Sequence, residues 1–334
     1  MSDYNSVRNQ LLQLRITEIN KLTTIYNDKL KSINNDRLLT IKTKQQLINT
    51  LTINHNNTLS VIINKYNKLI SRLNSQPQST TIASNNFKSK KALLIGINYN
   101  NTPYKLNGCI NDVENMKTHL VKKGFNESNI CSLTDNTAQK PNRAIILSEF
   151  TKLLSNAISG DVIFFFYSGH GSNIIDNNND ENDQYDEAIV TLDCNLITDD
   201  MFKSVIDANL KEGVTLLSFF DACHSGTMLD LPYQYFDSEL LEANTVNNAN
   251  KTTKGNVIMI SGCRDVQTSE DAYINNMSQG AMTWSLLESL KTPSLTWAKL
   301  LQEMRNNLQK SNYTQIPQLS AGSSSFNINN PILL

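Results

Sequence analysis

Two short stretches carry the residue types that covalent acyl chemistry requires. Residues 216–226 read LLSFFDACHSG, a mostly apolar run that stops at Asp221 and leads into Cys223, His224 and Gly226. Residues 161–171 read DVIFFFYSGHG, the most apolar run of the chain, ending in His170 and Gly171. A thiol and an imidazole that meet suit nucleophilic catalysis, because the imidazole takes or holds the thiol proton and later gives it to a leaving amine. Neighbouring glycines let a substrate backbone approach, and the amides of Gly171 and Cys223 could donate to a developing oxyanion. On an extended chain residues two apart share a face, so Asp221 goes with Cys223 and Ser168 with His170, while His224 turns the other way. A buried structural cysteine and a turn histidine are the competing reading of the same residues.

These residues need elements to position them. A continuous apolar run followed at once by small and polar residues is how a parallel strand opens onto the carboxyl edge of a sheet, where ligands bind in open α/β folds. Further strands are expected over residues 92–99 (ALLIGINY), 130–134, 188–192 and 256–262, and the last ordered piece is expected near 316–320 (IPQLS). Between them the spacing predicts helices over 111–124, from Pro141 to about 157, over 199–210, and near 282–290 and 295–308. Alternation of this kind implies an α/β domain with a mostly parallel six-stranded sheet flanked by helices. Residues 228–255 read as a polar connection.

The first 74 residues have a different period. Leu12, Ile19, Tyr26 and Ile33 are seven apart, and Leu59, Ile62, Tyr66, Leu69 and Leu73 step by three and four, the seam of a helical hairpin or a coiled coil. Breaks are expected at 34–36 and 54–57, giving two or three helices folded back on one another or a self-associating coil, with His55 at the surface or in the seam. Residues 75–89, rich in Ser, Gln, Thr and Asn, form a linker, and residues 90–334 form the second domain.

Composition narrows the class. The 334 residues carry a net charge of −1. Residues 1–90 hold 13 Lys+Arg against 4 Asp+Glu, whereas the remainder holds 17 against 27, so the two halves have opposite sign. The basic residues are spaced out with no recognition motif, and no nucleic-acid partner is expected. No apolar run is long enough for a membrane span and no secretory pattern opens the chain, so the expectation is a cytoplasmic protein without membrane association. Five scattered cysteines with no CxxC pair suggest free thiols in a reducing compartment, not a disulfide framework or a zinc site.

YSGHG (167–171), followed about fifty residues later by D-x-C-H-S-G, with GCINDV upstream and SGCRDVQTSEDA and GAMTWSLLESL downstream, resembles the metacaspases, caspase-related cysteine peptidases. The resemblance spans roughly residues 90–328, and the short connection after the cysteine block is similar to the type I arrangement. It implies a caspase-like fold, a Cys223–His170 dyad, and cleavage of protein or peptide substrates after Arg or Lys. Matching motif to motif, it places Cys109, Asp112, Ser168 and Asp221 in the primary specificity pocket. The chain supports that preference on its own terms, since a basic side chain calls for a carboxylate and Asp221 shares the face of Cys223. Asp112 opens a helix, where it either caps the helix or points into the groove.

Residues 176–187 (DNNNDENDQYDE) hold six carboxylates and no cation, which means a solvated loop or a hard divalent cation. An EF-hand is rejected, because Glu181 stands where the loop needs Gly and no helix pair flanks it. The family resemblance implies another calcium site, built from Asp183, Asp199, Asp200 and Asp230. Ala222 departs from the family's usual Ser or Cys. A protease of this specificity could also process itself, at Arg72, Lys88 or Lys90 around the linker or at Lys251 or Lys254 in the polar connection. The rival reading is a caspase-like scaffold whose N-terminal helices mediate oligomerisation or partner binding.

Overall fold

The computed structural model describes residues 2–36, 39–74, 88–175, 185–222, 228–235, 244–245, 252–262, 271–274 and 277–334. The chain divides into two compact units, Met1–Ser84 and Asn85–Leu334.

The first unit is a helical hairpin of α1 (Ser2–Asn35) and α2 (Ile41–Asn74). Tyr26 stacks on His55 with ring centroids 4.4 Å apart and shares a hydrogen bond with Thr52 Oγ1 at 3.1 Å. Lys65 Nζ lies 3.5 Å from Glu18. The break expected at 34–36 is present, but the one at 54–57 is not, and α2 runs through it without interruption. Asn54, Asn56 and Asn57 are exposed while His55 faces the seam, so the polar run is the outer surface of a helix and not its end.

The second unit is built from β1 (Lys90–Gly96), α3 (Cys109–Lys122), β2 (Ile130–Thr134), α4 (Arg143–Ser155), β3 (Val162–Ser168), β4 (Gly171–Ile175), β5 (Tyr185–Val190), β6 (Leu196–Thr198), α5 (Asp199–Asn209) and β7 (Thr215–Asp221). There follow β8 (Tyr233–Tyr235), β9 (Asn244–Thr245), β10 (Asn256–Ser261), β11 (Asp271–Ile274), β12 (Met277–Gly280), α6 (Ala281–Ser289), α7 (Trp297–Lys310) and β13 (Gln318–Ala321). The central sheet has the order β2-β1-β3-β7-β10-β13-β8-β9. Its first five members are parallel, and β13 joins antiparallel to β10. Five of these, β1, β2, β3, β7 and β10, are strands read from the sequence, and β13 falls on the IPQLS segment read only as the last ordered piece. The short β8 and β9, inside the segment read as a connection, extend the edge antiparallel. The strand expected at 188–192 is β5, which pairs in a separate antiparallel sheet of order β4-β5-β6.

Every residue of β3 and of β7 is buried, as befits strands covered on both faces. On one face Phe164, Phe166, Leu217 and Phe219 pack against α3, α6 and α7 through Val113, Met116, Leu286 and Leu300. On the other, Phe165, Tyr167, Leu216 and Phe220 meet Phe150 of α4 and Phe202 of α5. This sandwich holds the ends of β3 and β7 from both sides.

Candidate active site

In register, Ser168 at the end of β3 lies beside Asp221 at the end of β7. The two motifs read as reactive therefore leave the sheet from neighbouring strands. Cys223 itself lies outside the described residues, as do residues 224–227. The chain reaches it two residues after Asp221, with Gly169 N–H donating to the Asp221 carbonyl at 3.3 Å between the two strand ends.

His170 is held from several sides. Its ring Nε2 lies 2.7 Å from the Tyr104 carbonyl. A carbonyl only accepts, so Nε2 carries the proton and Nδ1 is the nitrogen left for a thiol. The Tyr99 ring packs on the imidazole with centroids 4.8 Å apart, and the Tyr99 hydroxyl accepts the His170 amide N–H at 3.0 Å. The same hydroxyl donates to the Val190 carbonyl at 2.7 Å, and the Tyr167 hydroxyl donates to the His170 carbonyl at 2.8 Å. Burial pushes both phenols well above their ordinary pKa, so each keeps its one proton. The Val190 amide donates to the His170 carbonyl at 3.0 Å, so the alternation of the antiparallel ladder turns the Gly171 N–H away from β5. That direction is compatible with the oxyanion role assigned to Gly171.

The residues that the resemblance assigns to a specificity pocket converge. Gly96, at the end of β1, meets the start of α3 so closely that a Cβ there would overlap the Cys109 carbonyl and lie 2.7 Å from Val113 Cγ2. This contact seats buried Cys109 and wholly buried Asp112 at the strand ends. The Asp112 carboxylate does not cap its own helix. It accepts the Ser168 hydroxyl at 2.7 Å and the Gly280 amide at 3.0 Å to both oxygens, beside the end of β3. Asp221 Oδ2 accepts the Thr283 amide at 2.8 Å and the Thr283 hydroxyl at 2.7 Å, at the N-terminus of α6, where the helix dipole favours an anion. A Cβ on Gly280 would overlap Asp221 Oδ2 and lie 3.0 Å from Asp112 Oδ2. Two buried carboxylates thus flank one glycine. Gly280, Thr283, Tyr99 and Tyr104 were not assigned roles from the sequence. Gly280 and Thr283 stand in the quoted GAMT motif, where a glycine directly before a helix is the one local signal.

Of the four acidic residues read as calcium ligands, Asp183 lies outside the described residues with the rest of 176–184. Asp199 and Asp230 are buried, Asp200 half-buried. Asp199 Oδ2 accepts the Glu187 amide at 3.0 Å and Oδ1 the Asp200 amide at 2.7 Å. Burial, and then the neighbouring charge of Asp230, push the Asp199 carboxyl up to about 7. Two buried carboxylates side by side, one of them with its proton affinity raised by burial and by the other, are a donor set that suits a hard divalent cation. Among the described residues no three acidic, His or Cys side chains gather closely enough to form a metal site by themselves.

The self-processing candidates are distributed. Arg72 lies in α2, and Lys251 is outside the described residues. Lys88 and Lys254 are exposed, whereas Lys90 begins β1 and its ammonium donates to the Lys123 carbonyl at 2.9 Å. No described helix is long and apolar enough to cross a membrane.

Residues 90–232 match the family described as "Metacaspase, peptidase C14 domain". The chain is 36% identical over 284 residues to Metacaspase-1A of Aspergillus oryzae, covering 70% of this chain and 67% of that protein. It is 37% identical over 282 residues to Metacaspase-1A of Aspergillus niger, covering 69% and 70%. Among solved structures, a protein of Geobacter sulfurreducens superposes with a TM-score of 0.55 at 23% identity over 73% of this chain and 97% of that one, a likeness of fold. With two carboxylates converging beside the exits of β3 and β7, the family match spanning both exits and relatives of this identity and coverage, the chain belongs to the metacaspases, cysteine-type endopeptidases.

Proposed function

We propose that this chain is a calcium-stimulated endopeptidase that cleaves after Arg or Lys through Cys223 and His170. The observation that carries the specificity is the convergence of buried Asp112 and Asp221 around Gly280, with Ser168 bridging to Asp112. A guanidinium or ammonium entering there meets carboxylate oxygens in a desolvated site, where charge-assisted hydrogen bonds are strongest. Caspase-type recognition of Asp would need cations in these positions, and the four pocket residues supply none.

In the mechanism His170 Nδ1 takes the Cys223 proton while Nε2–H stays on the Tyr104 carbonyl, which holds the ring in that tautomer. The thiolate attacks the carbonyl carbon after the basic residue, and the oxyanion forms against the amides of Gly171 and Cys223. Nδ1–H then protonates the departing amine, the C–N bond breaks, and the acyl-thioester remains. Water adds with His170 as base and releases the acid and the thiol. Asp183, Asp199, Asp200 and Asp230 would hold a calcium ion, whose charge lets these carboxylates ionise together. Asp230 follows the Cys223 segment directly, so its position and that of the catalytic segment are linked through the chain. Self-processing is best supported at exposed Lys88 and Lys254.

Among the described residues Cys131 and Cys194 are free thiols, which fits a reducing, cytoplasmic setting. A second reading concerns the hairpin, where Leu14, Ile16, Ile53 and Val61 are at least half exposed. Such residues favour self-association of the N-terminal unit, and size-exclusion chromatography with light scattering of the full chain gives the answer as one mass or two.

The test of the main reading is hydrolysis of fluorogenic peptides ending in Arg, Lys, Asp or Asn, each with calcium or EGTA. Cleavage of the Arg and Lys peptides, stimulated by calcium and abolished in Cys223→Ala, is expected. Activity that survives Cys223→Ala, or that prefers Asp, overturns it.

A further inference from the structure

The loop after β1 is tied to the candidate base more tightly than a connection requires. Tyr99 and Asn101 hold positive φ values of 52° and 65°, a backbone region that side-chain-bearing residues enter at a cost. Asp135, just past β2, keeps the loop in this shape by accepting the amides of Asn98 at 2.8 Å and Asn100 at 2.9 Å, one on each oxygen. The Thr102 hydroxyl donates to the Tyr99 carbonyl at 2.8 Å. The same loop supplies the Tyr104 carbonyl to His170 Nε2.

Against this loop lies an open cavity of about 580 Å³, lined by Asn100, Asn101, Thr102, Lys105, Asp135 and Leu192 among others. Its position relative to the cleavage chemistry follows from the sheet. Asp112 and α6 belong to the face covered by α3, α6 and α7, while Tyr99, Tyr167 and the partly buried Leu106 and Leu192 belong to the opposite one. A substrate whose basic side chain enters between Asp112 and Asp221 must therefore cross the strand ends. Its leaving half departs over His170, the group that protonates the leaving nitrogen, and so toward the loop after β1.

We propose that this cavity receives the residues on the carboxyl side of the scissile bond, and that Lys105 makes it favour acidic side chains there. The proposal rests on the Cys223–His170 reading above. Asp135 keeps its negative charge but turns both oxygens to loop amides, whereas exposed Lys105, which pairs with no carboxylate among the described residues, is the cation of the lining and the side chain there with donors to spare for a ligand. The asparagine amides and the Thr102 hydroxyl supply neutral polar contacts, so acidic or amide side chains fit better than cationic or large apolar ones.

The test uses the full chain with calcium and internally quenched peptides. Each keeps Arg before the bond and carries Asp, Asn or Lys at one of the first three positions after it. At one position the wild-type ratio of kcat/KM for Asp over Lys should be about threefold, the scale of a partly exposed charge pair. Lys105→Ala should bring that ratio near one and Lys105→Glu below one. Because each ratio is internal to one enzyme, a general loss of activity does not mimic it. An Arg-aminocoumarin substrate has no residue after the bond and reads the dyad alone. Hydrolysis of that substrate with equal ratios at all three positions, or with a wild-type ratio retained in Lys105→Glu, overturns the inference only. Failure to cleave the aminocoumarin and every peptide overturns the peptidase reading and the inference with it.

Discussion

The Tyr99 hydroxyl accepts the His170 amide at 3.0 Å while the two rings lie 4.8 Å apart, so one side chain fixes both the backbone and the imidazole of the candidate base. Tyr99 is a positioning residue: nothing in its burial or bonding lets it exchange a proton with substrate. Removing the hydroxyl but keeping the ring, in Tyr99→Phe, costs about one net hydrogen bond and should lower kcat roughly fivefold. KM should move little, because the carboxylates of Asp112 and Asp221, proposed to hold the basic side chain, are untouched. Tyr99→Ala, which also frees the imidazole from its stacking partner, should cost more. Steady-state kinetics on an Arg peptide separate the two, and equal kcat for wild type and Tyr99→Phe would remove the assignment.

Gly280 stands where no side chain fits. Its amide donates to Asp112, and a Cβ would overlap Asp221. Gly280→Ala should push the two carboxylates apart, raising KM for Arg and Lys substrates at least tenfold with a smaller effect on kcat. Asp112→Asn, which keeps the volume but removes the charge, should cost roughly tenfold to hundredfold in kcat/KM, the range of a charge-assisted bond. A comparable loss on an uncharged substrate would indicate collapse of the pocket and not loss of specificity. Asp221→Asn should also lower Tm, because Asp221 accepts two bonds from Thr283 at the start of α6.

Much of this was legible in the sequence because it depends on local pattern. The apolar runs ending at Ser168 and Asp221 locate the reactive edge, and the two-residue step places Asp221 with the groove. What a period cannot supply is which strands are neighbours. Only the order β1-β3-β7 shows that the YSGHG and FDACHSG exits adjoin, and only the fold brings Gly280 from more than fifty residues downstream between Asp112 and Asp221. The Tyr104 carbonyl leaves no signature at all, since every residue has one. Asn54–Asn57 misled in the opposite sense, a polar run that reads as a turn when taken locally and as a helix surface once Tyr26 lies against His55. Strands as short as β8 and β9 carry too few residues to show alternation.

The Asp199–Asp230 pair predicts opposite effects with and without cation. In EGTA, burial and Asp230 hold the Asp199 pKa at about 7, above its usual range, so the folded state binds a proton the unfolded chain has released. This contribution to stability is complete below the ordinary carboxylate pKa and lost as pH rises toward about 7. Asp199→Asn removes the cost of ionising the site and should raise Tm in EGTA at pH 7.5. With calcium the wild type should gain Tm by ligand linkage and Asp199→Asn should gain much less. Thermal denaturation in four conditions, two proteins each with calcium or EGTA, reads this without reference to activity. Equal calcium shifts in the two proteins would place the cation elsewhere.

His119 on α3 gives the acid side of the stability profile. Its Nε2 is buried without a hydrogen-bond partner, and burial, reinforced by Lys123 and Lys122, lowers its pKa to about 4. A histidine in an unfolded chain titrates near 6.5. Between these values the unfolded state binds a proton that the folded state refuses, so acidification favours unfolding; above pH 6.5 both states are neutral and the group contributes nothing to the slope. Stability assigned to His119 is therefore complete above about pH 6.5 and lost progressively as pH falls toward 4. His119→Gln, neutral throughout, should flatten the fall in Tm across that window while leaving Tm at pH 7.5 nearly unchanged. The same α3 carries Asp112, so acid loosening of this helix should reach the proposed specificity pocket as well. Parallel profiles of Tm and of KM for an Arg peptide from pH 7.5 to 5 should then bend together in wild type and separate in His119→Gln. Superimposable Tm curves for the two proteins would show that another group governs the acid limb.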